Sequence, residues 1–322
     1  MKKLAIPLTL LATMLGAIAA QAACPCDTTF VSKKNGTSSD CSPSTPCTSI
    51  ATAIANTTSS GTIIITDGEF IEALTITTAL HIYGVEGVTV LVSPAGGTAI
   101  TVNAGPNDKL KITNLNIAGA QVGSVGIAFI SGKQLWLENV ELHGFASVTA
   151  IGLNFIPSSA ASGGNPTGLF VRNSTIHGNS AGNVLIRPTS AVAVNAVFDH
   201  AALGGGTYGI RADNSGGSGF LHLDVTESLA TSHSNNGFLA VGTGVNPVHF
   251  MIDRSTAQGN GVYGAVATGA QAFMIVSNSI LASNGTGLSQ QSGATVATYT
   301  NNGINFNLTN NTDGTITPIA PK

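Results

Sequence analysis

The chain has 322 residues with a net charge of −3, only 8% charged residues, 43% hydrophobic residues and 39 glycines. An acidic balance with so few Lys and Arg excludes a protein built on phosphate contacts, so no nucleic-acid partner is expected. Abundant glycine beside little charge points to many tight turns and to solubility carried by uncharged polar groups.

Lys2 and Lys3 precede an apolar run from Leu4 to Ala20, and Ala20-Gln21-Ala22 offers small residues for cleavage. Residues 1–22 therefore read as a secretory signal peptide, which places the protein in the periplasm or outside the cell. Without Lys2 and Lys3, 10 basic residues face 15 acidic ones, for a net charge of −5. No later apolar stretch approaches the ~20 residues of a membrane helix, so the mature chain is expected to have no transmembrane segment. The four cysteines, Cys24, Cys26, Cys41 and Cys47, all fall early in the mature chain. Export makes disulfides their expected use, with three pairings open, and no nearby histidine completes a metal set. Thr48-Ser49 then precedes Ile50, Ala51, Ile54 and Ala55 at helical spacing, predicting a short capped helix. Residues 23–59 are expected to form a disulfide-tied N-terminal cap, because a solenoid exposes its core at each end.

Strand patterns follow over 62–66, 74–77, 80–83 and 88–92. From Leu110 to Leu281 one pattern recurs seven times: two inward apolar positions, a two-residue polar break, two more inward positions. The breaks are Thr113-Asn114, Glu138-Asn139, Arg172-Asn173, Asp199-His200, Thr226-Glu227, Asp253-Arg254 and Ser277-Asn278, with second residues 25, 34, 27, 27, 27 and 24 apart. Each half alternates with period 2, as in Leu110, Ile112 and then Leu115, Ile117. A period of this size means a solenoid, here over residues 60–311. Parallel strands stacked at ~4.8 Å would bring equivalent positions together. They would form one asparagine column from Asn114, Asn139, Asn173 and Asn278, and another from Asn179, Asn260 and Asn284. Residues 157–166 add a loop, and 312–322 lose the repeat, reading as an exit strand or a disordered tail.

The repeat resembles the right-handed parallel β-helix superfamily that includes pectate lyases, polygalacturonases and pectin methylesterases. Residues 61–72 and Leu74-Thr75-Ile76 are similar to the opening coil of several such proteins. The cysteine-bearing first segment and the Asn-rich end are most similar to small secreted bacterial β-helix proteins of no assigned activity. The resemblance implies an all-β fold and leaves function open. Asn311-Thr312-Asp313-Gly314 resembles a polygalacturonase motif, but no carboxylate follows Asp313 to complete an inverting pair. That family's Gly-His-Gly and Arg-Ile-Lys motifs are missing. Also missing are the clustered aspartates of a pectate lyase calcium site and the paired aspartates of pectin methylesterases.

Two candidate sites remain. Glu138, Arg172 and Asp199 occupy the first break position on successive coils, and His143 and His177 share a neighbouring column. A carboxylate, an arginine and a histidine on one face could hold a uronate and move a proton in elimination or epimerisation. The same residues also suit a surface charge ladder worth ~0–1 kcal/mol per pair. The second is an outward column of Lys111, Trp136, Phe170, Val197, Asp224, Met251 and Ile275, apolar for a surface. There Trp136 and Phe170 could stack on sugar rings, or the stripe could meet another subunit or lie under the 157–166 loop. The expected function is a noncatalytic structural or carbohydrate-binding role without cofactor or metal, at a polysaccharide or cell-envelope surface and possible as a homo-oligomer. The alternative is a polysaccharide lyase or epimerase acting on uronate-containing polymers.

Overall fold

Period-2 alternation makes the strands, and burying their apolar faces requires coils to stack. The computed structural model describes residues 26–37, 40–85, 89–92 and 96–320. The expected signal peptide and Cys24 lie outside the described residues. The chain winds as an all-β parallel solenoid of about ten turns, and each regular turn places one strand in each of three sheets, A, B and C. One turn runs Gln134–Glu138 in sheet A, Glu141–His143 in sheet B and Ile151–Phe155 in sheet C, before Thr167–Arg172 re-enters sheet A. Leu135 pairs between Leu110 and Leu169, and Leu142 between Ile117 and Ile176, so inward residues stack coil on coil. Phe129 and Phe155 continue this inside the tube, their rings 4.4 Å apart and nearly parallel. Each fully buried side chain of this size contributes ~1.5–3 kcal/mol, set against the entropy of ordering the chain.

Two features differ from the sequence expectation, and two alternatives that it left open are resolved. The strand expected over 62–66 runs from Thr57 to Ile71 without a break, pairing first in sheet A and then in sheet B. Gly68, at φ 110°, turns the corner within it. The helix forms over Ile50–Asn56, but it buries Ile50 and Ala53 while Ala51 is exposed. Ser49 Oγ accepts from Thr52 N at 3.3 Å, and the Glu72 carboxylate receives Ser49 Oγ and Ala51 N, each at 3.0 Å. An anion at this end suits the unpaired N–H groups of a helix start. Of the cysteines, Cys41 and Cys47 form a disulfide, and Cys26 opens the first strand. Of the two readings of 312–322, the structure shows strand: Asn310–Asp313 adds to sheet C and Ile316–Ile319 to sheet A.

The two asparagine columns occupy different environments. The second break residue of each of the seven repeats is left-handed, with φ 54° at Asn114, 53° at Asn139, 48° at Asn173, 53° at His200, 49° at Glu227, 45° at Arg254 and 48° at Asn278. This residue turns the chain from sheet A into sheet B, and asparagine suits it because its short side chain tolerates that conformation. The residue after it points inward, and where it is serine its hydroxyl serves the preceding coil: Ser228 N donates to Ser255 Oγ, and Ser255 N to Ser279 Oγ, both at 3.1 Å. The second column lies inside, at the turn from B to C. Asn260 Nδ2 donates to Asn284 Oδ1 at 2.8 Å, and Asn284 Nδ2 to Asn307 Oδ1 at 3.1 Å. His233 takes the equivalent place one coil earlier, with Nδ1 2.8 Å from Asn260 Oδ1. The rung before that is Gly206, and Asn183 bridges the gap by donating Nδ2 to His233 Nε2 at 3.0 Å while its Oδ1 accepts from Asn179 at 3.0 Å.

Candidate functional site

Alternation that turns Leu110, Ile112, Leu135 and Leu137 inward sends His81, Lys111, Trp136 and Phe170 to the outer face of sheet A. Register pairs them in that order, and continues through Val197, Asp224, Met251 and Ile275. Trp136 and Phe170 stack with centroids 5.1 Å apart at 19°. Lys111 Nζ lies 5.8 Å from the Trp136 ring and 2.8 Å from Glu138 Oε2. The lysine bond is the chief reason that the Glu138 carboxyl is held below its usual range; burial opposes, and the charges of Lys111 and Arg172 assist. Glu138 is therefore a fixed anion near neutral pH, unsuited to delivering a proton there.

Beside this pair lies a groove of about 730 Å³, lined by His81, the Asn107–Lys111 segment, Gln134 and Trp136 among others. Its loop is self-supporting, since Gly105 N donates to Asp108 Oδ2 at 2.8 Å. Burial, assisted by the Lys111 charge and opposed by Glu138, holds the His81 pKa below 6.5. Its Nε2 lies 3.0 Å from Thr113 Oγ1. The Trp136 indole N–H is shielded and has no hydrogen-bond partner, a state uncommon among folded proteins. Among the described residues, none of the 157–166 loop lines the groove.

The expected catalytic set is divided. Glu138, Arg172 and Asp199 do pair in register at the ends of sheet A strands. Arg172, however, turns to Asp199, with Nε 3.3 Å from Oδ2, and is exposed. From there a ladder follows the left-handed corner. His200 places Nδ1 2.6 Å from Asp199 and Nε2 2.7 Å from Glu227, and Arg254 Nε is 3.0 Å from Glu227. Burial pushes the Asp253 pKa up, but bonds from Asn278 and Ser277 and the Arg254 charge outweigh it and leave the pKa lowered. His143 and His177 sit across the corner on sheet B. Their rings stack at 5.1 Å and 3°, with His143 Nε2 3.1 Å from Asn116 Oδ1 and His177 Nε2 3.1 Å from Glu141 Oε1. The five residues thus form two surface ladders on adjacent faces, outside the groove.

Asp199, His200 and Glu227 each bring a ligand atom within 4.8 Å of the others, close enough to hold a metal ion. His200 spends both ring nitrogens on the two carboxylates, and Arg172 and Arg254 neutralise the same acids. The cluster's own charges already compensate one another. His81 and Asp108 escape sequence reasoning because they precede the seven-break repeat, and the groove arises from the loop between two coils. Asp313, in the Asn311–Gly314 motif, accepts from Ser289 Oγ at 3.3 Å in the last strand of sheet C.

No family model matches the chain, and no curated protein matches its sequence. Its fold is similar to that of the A-module of the mannuronan C-5 epimerase AlgE4 of Azotobacter vinelandii, with a TM-score of 0.45 and 12% identity over 81% of this chain and 89% of that one. It is likewise similar to pectin methylesterase PemA from Erwinia chrysanthemi, with a TM-score of 0.47 and 14% identity over 83% and 90%. Against pectate lyase Pel9A the TM-score is 0.46, at 16% identity over 86% and 70%.

Proposed function

We propose that the outer face of sheet A binds an acidic, uronate-containing polysaccharide, with Trp136 and Phe170 as the stacking platform and Lys109 and Lys111 facing the carboxylates. The observation that carries this reading is the parallel aromatic pair beside two lysines at a groove of about 730 Å³. With Phe170 on one face of Trp136 and Lys111 over the ring, the pair offers a sugar its ring edges and apolar body, against which apolar area is buried. The Cys41–Cys47 disulfide supports action in an oxidising compartment outside the cytoplasm. Among the described residues, no helix is long and apolar enough to cross a membrane. Trp136 is the only tryptophan, so its fluorescence reports on the groove directly. A polyuronate should shift that emission. Phe170→Ala should weaken binding by on the order of tenfold, an aromatic pair being worth ~0.5–1.5 kcal/mol beyond its burial. Unchanged emission and no retention on a polyuronate matrix would refute the reading.

A second reading, catalysis as a lyase or epimerase in the same groove, is favoured by His81. Held neutral by burial and by Lys111, its imidazole suits the removal of a proton from the carbon beside a uronate carboxylate, whose developing charge Lys111 would stabilise. Elimination would then break the glycosidic C–O bond, with the departing oxygen taking a proton from the imidazolium or water and the chain keeping an unsaturated end; epimerisation would instead require water to deliver a proton to the opposite face. Incubation with polyuronates, read by ultraviolet absorption and by proton exchange at that carbon, tests this. His81→Ala should abolish either signal and leave binding in place.

A further inference from the structure

We infer that the polymer runs along the solenoid axis and that a second subsite, built on His249 and Phe273, engages it on the same face of sheet A. This rests on the reading of the Trp136 groove as a polysaccharide site, and it adds the direction and minimum length of the ligand. His249 pairs in register with Phe273, so both lie on that face. The His249 ring stands edge-on between Phe220, at 4.9 Å, and Phe273, at 5.3 Å. His249 and Phe273 border a largely apolar pocket of about 300 Å³ with Met251 and Ile275, which are 41% and 37% exposed although they sit on a sheet. Burial, helped by the His222 charge, lowers the His249 pKa, so the ring presents an uncharged aromatic surface near neutral pH. Asp224, an acid on this stretch, faces His222 Nε2 at 3.2 Å.

The occupant follows from continuity. Met251 belongs to the same in-register column as Trp136 and Phe170, with Val197 and Asp224 between. Three strand spacings of ~4.8 Å put the His249 coil about 14 Å from Phe170 along the axis. Met251 and Ile275 hold the lateral position of Trp136 and Phe170, while His249 and Phe273 stand two residues away along their strands, so the apolar surface, with the lysines at one end, fits a single extended chain crossing the strands. A globular ligand would need one enclosed site instead.

Uronate oligomers of increasing length, titrated against Trp136 emission, provide the test. Affinity should rise by on the order of 10²-fold once the oligomer is long enough to occupy both subsites, because the second contact becomes intramolecular. His249→Ala with Phe273→Ala should remove that rise and leave short-oligomer affinity as in the wild type. Met251→Glu, at an exposed position that spares the fold, should do the same by repelling the carboxylates. A length dependence that survives both variants overturns the inference, as does affinity independent of length in the wild type. Light scattering that shows a dimer dispersed by Met251→Glu would assign the strip to a second copy and overturn it as well. No emission change at any length would instead remove the groove reading on which it rests.

Discussion

The interior column at the B-to-C turn and the exterior column at the A-to-B corner are both built from asparagines one coil apart, and both bond along the axis. Outside, Asn139 Nδ2 donates to Asn114 Oδ1 at 3.0 Å, and Asn301 Nδ2 to Asn278 Oδ1 at 2.7 Å. Inside, Asn260 is 1% exposed and satisfies four groups: His233 N and Nδ1, Ala230 O and Asn284 Oδ1. The exterior column admits His200, Glu227 and Arg254, whereas the interior rungs from 233 to 307 hold asparagine throughout except at His233, which offers a comparable donor and acceptor, and the gap at Gly206 is bridged by Asn183. Water can stand in for a lost partner at the corner, but nothing can inside, so identical residue spacing carries different energies.

The largest effect should come from the interior. Asn260→Ala leaves several buried groups unpaired, each costing ~1–3 kcal/mol, and should lower stability by roughly 3 kcal/mol in denaturant unfolding. A loss below ~1 kcal/mol would mean that the two columns are equivalent after all. Next comes the glycine that gives this ladder room. A Cβ at Gly264 would lie 2.7 Å from both Asn284 Nδ2 and Gly287 O, and the latter is backbone and cannot move aside cheaply. Gly264→Ala should cost ~1–3 kcal/mol by thermal melting; a neutral result would show the ladder to be slack.

How much of this was legible follows from where each signal sits. The repeat exposed the coil, the inward sets and both asparagine columns, because stacking forces the same residue type to recur at the same phase. His233 lies in phase with Asn260 and Asn284 and was readable by the same spacing, but a histidine does not look like an asparagine rung until its two hydrogen bonds are seen. The lateral pairing of Trp136 with Phe170 was readable from register. The groove beside them was not, because it depends on how the 104–109 segment folds over the sheet edge, and no periodicity encodes that. The division of Arg172 from His177 was equally hidden, since sequence spacing places both near a break without saying that the left-handed residue between them turns the faces apart.

His233 sharpens the comparison through pH. Burial depresses its pKa below 6.5, with the Asn260 bond opposing. Protonation would charge the interior and turn Nε2 from acceptor to donor against the Asn183 amide. A depressed histidine leaves stability flat above the unfolded value near 6.5; stability falls as pH drops from there toward the lowered folded value. Carboxylates such as Glu138, lowered from 4.5, add their loss only at more acidic pH. His233→Asn should therefore flatten the slope just below pH 6.5 in urea midpoints collected across pH, and keep the acid limb. An unchanged slope would assign it to His81 or His249, whose pKa values are also lowered.

The smallest effect should be at the corner. Arg172 is 53% exposed and meets Asp199 at 3.3 Å, and Asp199 retains His200 at 2.6 Å when the arginine is gone. An exposed pair of this kind is worth ~0–1 kcal/mol, and salt screens it further. Arg172→Ala should thus leave the melting curve nearly unchanged, more so at high ionic strength. It should also leave Trp136-reported binding and any turnover intact, because the guanidinium points along the corner rather than into the groove. Loss of turnover without loss of fold would place the chemistry on the exterior ladder and shift the functional centre from sheet A to its edge.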